Sequence, residues 1–157
     1  MPDNKISMVM FDLSGTTIRD DQAVRDCLYK AAQEFNLKTT PEEILMHMGT
    51  NKIHLYQFLI ARSRGKKIEI EDFERIKDPD TLEEAMKVFE RYQQLMIDHY
   101  REHAQSVPGT EETFQWCRER GIKVCVDTGF HRPVVEVIME KVGWVKNKLV
   151  DLVVDVE

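Results

Sequence analysis

Asp12 is the residue best placed to do chemistry. It ends the apolar run Met8-Val9-Met10-Phe11, and a turn of small and hydroxylated residues follows at once, Leu13-Ser14-Gly15-Thr16-Thr17. A carboxylate there can attack an electrophile or hold a metal ion. The backbone N–H groups of the Gly15-Thr16-Thr17 turn can receive a phosphate-like anion. A second apolar run, Ile122–Val126, leads into Asp127-Thr128-Gly129-Phe130, which sets the hydroxyl of Thr128 and the small Gly129 at another strand end. Ligands of α/β sheets gather beyond the carboxyl ends of the strands. A nucleophilic carboxylate with hydroxyl and amide donors is equipment for phosphoryl transfer.

The remaining chemistry-bearing residues signal less. Lys52 follows Met48-Gly49-Thr50-Asn51, and from spacing alone it reads as a solvated helix lysine. His99 and His103 stand four apart, a spacing that can bind metal, but no recognised pattern of acidic or thiol partners accompanies them. They read as packing or surface residues. His47 and His131 flank the motif positions and read as loop or helix-end residues. The basic turn Arg62–Lys67 reads as a solvated surface.

These groups need elements to position them. Residues 5–11 read as a buried strand. Val24, Cys27, Leu28, Ala31 and Phe35 form one helical stripe that Asn36 ends. Thr40-Pro41-Glu42-Glu43 is a helix start, with Thr40 as cap, Pro41 in the first turn and Glu43 closing a capping box. A further helix spans 51–63, and a loop is expected over 68–80, around Asp78-Pro79. Leu82, Met86, Phe89, Tyr92, Met96 and Tyr100 mark the longest helix. After Pro108-Gly109 come helix 110–120, strand Ile122–Val126, a turn at 127–130, helix 132–142 and a second buried strand, Leu149–Val154. Trp116 and Trp144 are expected to pack helices against the sheet. The order is a strand, a long helical stretch, then α-β-α-β. It predicts an α/β core, residues 1–19 and 104–157, with an all-α insertion at 20–103.

The 157 residues are 42% hydrophobic and 32% charged, the composition of a soluble globular chain. A net charge of −6 argues against nucleic-acid or anionic-membrane partners. No apolar run reaches the length of a membrane span. Cys27, Cys117 and Cys125 form no CxxC pair, so they are expected to be reduced thiols in a cytoplasmic protein.

With these residues in place, the chain resembles the haloacid dehalogenase superfamily. That superfamily's first motif is a strand followed by D-x-x-x-T, matched by Asp12 to Thr16. Its second motif, a strand ending in Thr or Ser, is matched by Thr128. The resemblance implies a Rossmann-like parallel sheet and a cap domain inserted after the first motif. A narrower likeness is to the phosphonoacetaldehyde hydrolase branch. Most phosphatases of the superfamily carry a second Asp two residues after the first; here that position is Ser14. The branch has D-x-[AS]-G-T-T there, like Asp12–Thr17, and M-G-x-x-K in its cap, like Met48–Lys52.

The resemblance implies that Asp12 takes a phosphoryl group and that Lys52 forms a Schiff base with a substrate aldehyde. Met48, Gly49, Ser14, Gly15, Thr16, Thr128 and Gly129 would then bind substrate, and Mg²⁺ would be held by Asp12 and the Ser14 carbonyl. Lys52 must be partly neutral to attack, so burial or a neighbouring cation should depress its pKa. Two departures stand out. The histidine usual three residues after that lysine is Leu55 here, with His54 one residue early. The third- and fourth-motif residues of the family are not found by Glu157, so the resemblance implies a C-terminally truncated core. Phosphate-ester hydrolysis, or a non-catalytic fragment that binds a ligand or partner, are the alternatives. A homodimer through an uncovered sheet edge is the protein partner this would allow.

Overall fold

The computed structural model describes residues 6–71 and 79–156 and divides the chain into two compact units. One is Gln22–Met96; the other joins Met1–Asp21 to Ile97–Glu157.

The sheet-bearing unit holds three parallel strands in the order β1-β2-β3: β1 (Met8–Asp12), β2 (Lys123–His131) and β3 (Leu152–Val156). Met10 pairs with Cys125 and Cys125 with Leu152; Asp12 pairs with Asp127 and Asp127 with Val154. Side chains alternate across a strand, so Met8, Met10 and Asp12 share a face with Lys123, Cys125, Asp127, Leu152 and Val154. Val9, Phe11, Val124, Val126 and Val153 line the other. That second face is covered: the ring of Phe114 lies 5.2 Å from that of Phe11 and edge-on to fully buried Trp144.

The strands are expected to be buried; instead β1 and β3 alternate exposed and half-buried along their whole length, with helical cover on the Phe11 face, while on the Met10 face Cys125 of the central strand is buried and its neighbours Met10 and Leu152 are exposed. β2 also runs further than expected: its pairing breaks register between Asp127 and His131 instead of ending at Val126.

Writing the helices in chain order, α1 is Ala23–Glu34, α2 Pro41–Met46, α3 Lys52–Ser63, α4 Pro79–His103, α5 Thr110–Glu119 and α6 Arg132–Val142. In the helical unit, Asn36 stops α1 with φ +56°, a conformation Asn tolerates. Thr40 caps α2 as expected, accepting the Glu43 N–H at 3.2 Å. The Glu43 carboxylate does not close the box, however. It accepts the Thr39 hydroxyl at 2.7 Å and a two-pronged contact from Arg62 of α3, which outcompetes a backbone N–H for a charge. Arg62 holds the Glu43 carboxyl below its ordinary range. Tyr56 donates to the Leu28 carbonyl at 3.2 Å, and Gln57 to the Thr81 hydroxyl at 3.2 Å. These bonds satisfy buried polar groups that would otherwise cost stability.

Three further expectations are corrected. The buried face of α4 runs through Thr81, Ala85, Val88, Phe89, Tyr92, Leu95, Met96 and Tyr100, while Leu82 and Met86 are exposed. Trp116 is 51% exposed, its ring stacked under the Arg120 guanidinium at 4.1 Å. Of the loop expected at 68–80, residues 72–78 lie outside the described residues, and Ile70 is buried and helical.

Candidate active site

Asp12 stands at the carboxyl end of β1 with its side chain exposed. The loop that follows is closed by its own backbone. Thr17 and Ile18 N–H donate to the Leu13 carbonyl at 3.0 and 2.8 Å, and Gly15 N–H donates to the Ile18 carbonyl at 2.7 Å. Gly15 has φ +78°, which a Cβ would resist. Leu13 and Ile18 are fully buried and anchor the loop from below. The Thr17 hydroxyl, also buried, donates to the Asp12 carbonyl at 2.9 Å and lies 3.3 Å from the Leu13 carbonyl. The next turn is tied in as well: Val107 N–H and the Thr110 hydroxyl both donate to the Thr17 carbonyl.

Thr16 donates its hydroxyl to the Asp12 carboxylate at 3.2 Å. The Gly15 amide is committed to Ile18. Among the described residues the N–H groups of Ser14 and Thr16 have no acceptor, so they are the turn amides available to an anion. Thr128 is buried at the end of β2; its oxygen accepts the Phe130 N–H at 3.2 Å, which leaves its proton free to be donated. Gly129 beside it is exposed. Asp127 is exposed too, and its pairing with Asp12 puts two carboxylates on one face at the carboxyl end of the sheet.

The oxygens that could hold a cation are the Asp12 carboxylate and the Ser14 carbonyl, which receives no backbone hydrogen bond among the described residues. Hard oxygen donors in small number suit Mg²⁺, which keeps several of its waters. No group of three His, Cys, Asp or Glu side chains is gathered for a metal among the described residues. The rings of His99 and His103 lie 5.1 Å apart, tilted, on α4 and belong to no such group among the described residues.

Lys52 belongs to the other unit, in the first turn of α3. Asn51 caps that helix by accepting the Ile53 and His54 N–H groups at 2.9 and 3.3 Å. The Lys52 ammonium folds back onto the Met48 carbonyl and, at 3.1 Å, the Thr50 carbonyl. It is half-buried, and burial pushes its pKa below the ordinary 10.5. The positive end of the helix dipole acts in the same direction. Met48 is half-buried and Gly49 exposed in the turn that Lys52 closes. His54, one position off the usual histidine, has a buried Nδ1 without a hydrogen-bond partner among the described residues.

The sequence reading overlooked Thr17 and Asp127. Thr17 read as one more hydroxyl in a polar turn; only its depth shows it to be a clamp. Asp127 had a signal, because two parallel strands ending in a carboxylate invite an in-register pair.

The sequence profile of the haloacid dehalogenase-like hydrolases matches residues 6–157. Phosphonoacetaldehyde hydrolase of Bacillus cereus is 26% identical over 139 residues, covering 87% of this chain and 51% of that protein. The enzyme of the same name from Hahella chejuensis is 26% identical over 136 residues, 86% of this chain and 45% of that one. The chain thus spans about half the length of these curated relatives. CbbY from Rhodobacter sphaeroides, solved in complex with phosphate, superposes with a TM-score of 0.67 at 17% identity, over 96% of this chain and 64% of that one. That likeness shows the shared α/β fold. A profile match over nearly the whole sequence, on a parallel sheet with Asp12 and Thr128 at adjacent strand ends, makes this chain a member of the haloacid dehalogenase-like hydrolase family.

Proposed function

We propose that the protein cleaves a carbon–phosphorus bond in a small phosphonate aldehyde of the phosphonoacetaldehyde type. The observation that carries this reading is Lys52: a half-buried amine, held on two carbonyls beside Met48-Gly49, whose charged form is disfavoured. In this reading the Lys52 amine adds to the aldehyde carbonyl and loses water, forming an imine. With the imine nitrogen protonated, Asp12 attacks phosphorus, the carbon–phosphorus bond breaks, and its electron pair passes into the iminium to give a neutral enamine. Protonation and hydrolysis of the enamine release the aldehyde and free Lys52. Water then hydrolyses the aspartyl-phosphate. The N–H groups of Ser14 and Thr16 and the Thr128 hydroxyl hold phosphoryl oxygens. Gly15 keeps the turn in shape, and Met48, Gly49 and Gly129 leave room for substrate.

Asp12 and the Ser14 carbonyl would hold Mg²⁺, which would supply positive charge against the phosphoryl group. The helical insertion at 20–103 acts as a cap. Buried thiols, Cys27, Cys117 and Cys125, suit a reducing cytoplasm. Ser14 in place of a second carboxylate weighs against ester hydrolysis, which needs an acid for its leaving group.

Borohydride reduction in the presence of phosphonoacetaldehyde tests the reading. Peptide mass spectrometry should find the reduced adduct on Lys52, and none in Lys52→Arg. An adduct spread over surface lysines, or none, would overturn it.

A further inference from the structure

Asp127 is a carboxylate that the reaction above leaves unused. Its place is fixed by the backbone. It pairs in register with Asp12 across parallel strands β1 and β2, and its carbonyl accepts the Leu13 N–H at 3.2 Å. Paired residues send their side chains to the same face of a sheet. Neighbouring strands lie about 4.8 Å apart, so a group bonded to the Asp12 carboxylate falls within reach of the Asp127 carboxylate. Among the described residues the Asp127 side chain is engaged in no hydrogen bond or ion pair.

The chemistry, for its part, leaves one proton unassigned. When water attacks the aspartyl-phosphate a proton must leave that water, and a positioned base speeds the step. Position 14, two residues past the nucleophile, is a serine and supplies none. Hydroxyls are poor bases, and those of Thr16 and Thr17 are already donated to the Asp12 carboxylate and carbonyl. We propose that Asp127 is the general base for hydrolysis of the aspartyl-phosphate, an inference that rests on Asp12 being the nucleophile. The water oxygen bonds to phosphorus, and its proton passes to the Asp127 carboxylate. The bond from phosphorus to the Asp12 oxygen breaks, and its electron pair returns to the Asp12 carboxylate. Phosphate departs and Asp127 yields its proton to solvent. Asp127 therefore acts in the second half of the reaction only. Cleavage of the carbon–phosphorus bond, drawn by the iminium, needs no acid at this position.

Single-turnover kinetics with acetyl phosphate and Mg²⁺ test this. Acetyl phosphate hands its phosphoryl group to a carboxylate without an aldehyde or Lys52. Acid quenching and mass spectrometry follow the phosphoryl group on the peptide that holds Asp12, with Asp12→Asn as the blank. In Asp127→Asn the phosphoenzyme should form within a few-fold of the wild-type rate and decay about 100-fold more slowly. Far-UV dichroism and the fluorescence of buried Trp144 confirm that the variant is folded. Decay at the wild-type rate would overturn the proposal, as would formation and decay slowed alike. A defect cured by raising Mg²⁺ would also overturn it, since Asp127 would then be a metal ligand. No phosphoenzyme or phosphate from either chain would overturn the aspartyl-phosphate as well. A phosphoenzyme whose decay ignores Asp127 overturns the base alone, so the two readings fail separately.

Discussion

Thr17 offers a test in which shape and hydrogen bonding are separated. Its side chain is 3% exposed, and its hydroxyl donates to the Asp12 carbonyl. Thr17→Val keeps the branched shape and removes the donor. The Leu13 carbonyl loses little, because it still accepts the Thr17 and Ile18 N–H groups. The Asp12 carbonyl loses a buried donor, a loss worth about 1–3 kcal/mol, and we expect about 2 kcal/mol. Thr17→Ser keeps the donor and removes one buried methyl, for about 1 kcal/mol with its small cavity. Urea unfolding followed by tryptophan fluorescence reads the correct unit, since Trp116 and Trp144 both lie in the unit that holds Thr17. With a slope of about 2 kcal/mol per molar, valine should lower the midpoint by about 1 M and serine by about half that. A serine variant as damaged as the valine one would refute the clamp: packing, not the hydroxyl, would be holding the Asp12 loop.

Two further outcomes follow from the backbone and from Lys52. Gly15→Ala meets no heavy atom within 4 Å, so its cost is that of a left-handed backbone alone, about 1 kcal/mol in thermal or urea unfolding; Gly49→Ala, without positive φ, should be near neutral. Burial lowers the Lys52 pKa in the folded state, so the unfolded chain binds the extra proton between the folded value and 10.5. Stability therefore rises with pH across that window, and wild type should gain on Lys52→Met as pH climbs toward 10.5. A stability difference independent of pH would show that burial does not act on the ammonium.

Much of the fold was legible because local chemistry and burial agree. Residues 132–142 form α6 as read, since Val134, Val135, Ile138 and Met139 recur on one face and Gly143 stops the helix with φ +72°. The strand positions of Asp12 and Thr128 were equally plain, because each follows an apolar run. Failures came where a residue's type and its direction disagree. Trp116 was read as core from its size, yet it lies two positions from Phe114, roughly 200° around the helix, where Arg120 covers it. Leu82 and Met86 fit an i, i+4 series whose slow drift left them on the flank of α4. Glu43 suited a capping box until Arg62, nineteen residues on, offered a charge. Whether a strand is covered on one face or two depends on the rest of the fold, and Met10 and Val154 carry no local sign of it.

The central claim is that Asp12 is the nucleophile of a phosphonate-cleaving site. Its most direct test is phosphate release from phosphonoacetaldehyde with Mg²⁺, comparing wild type with Asp12→Asn. We expect release that the substitution abolishes. Release that survives Asp12→Asn, or none from the folded wild-type chain, would contradict it.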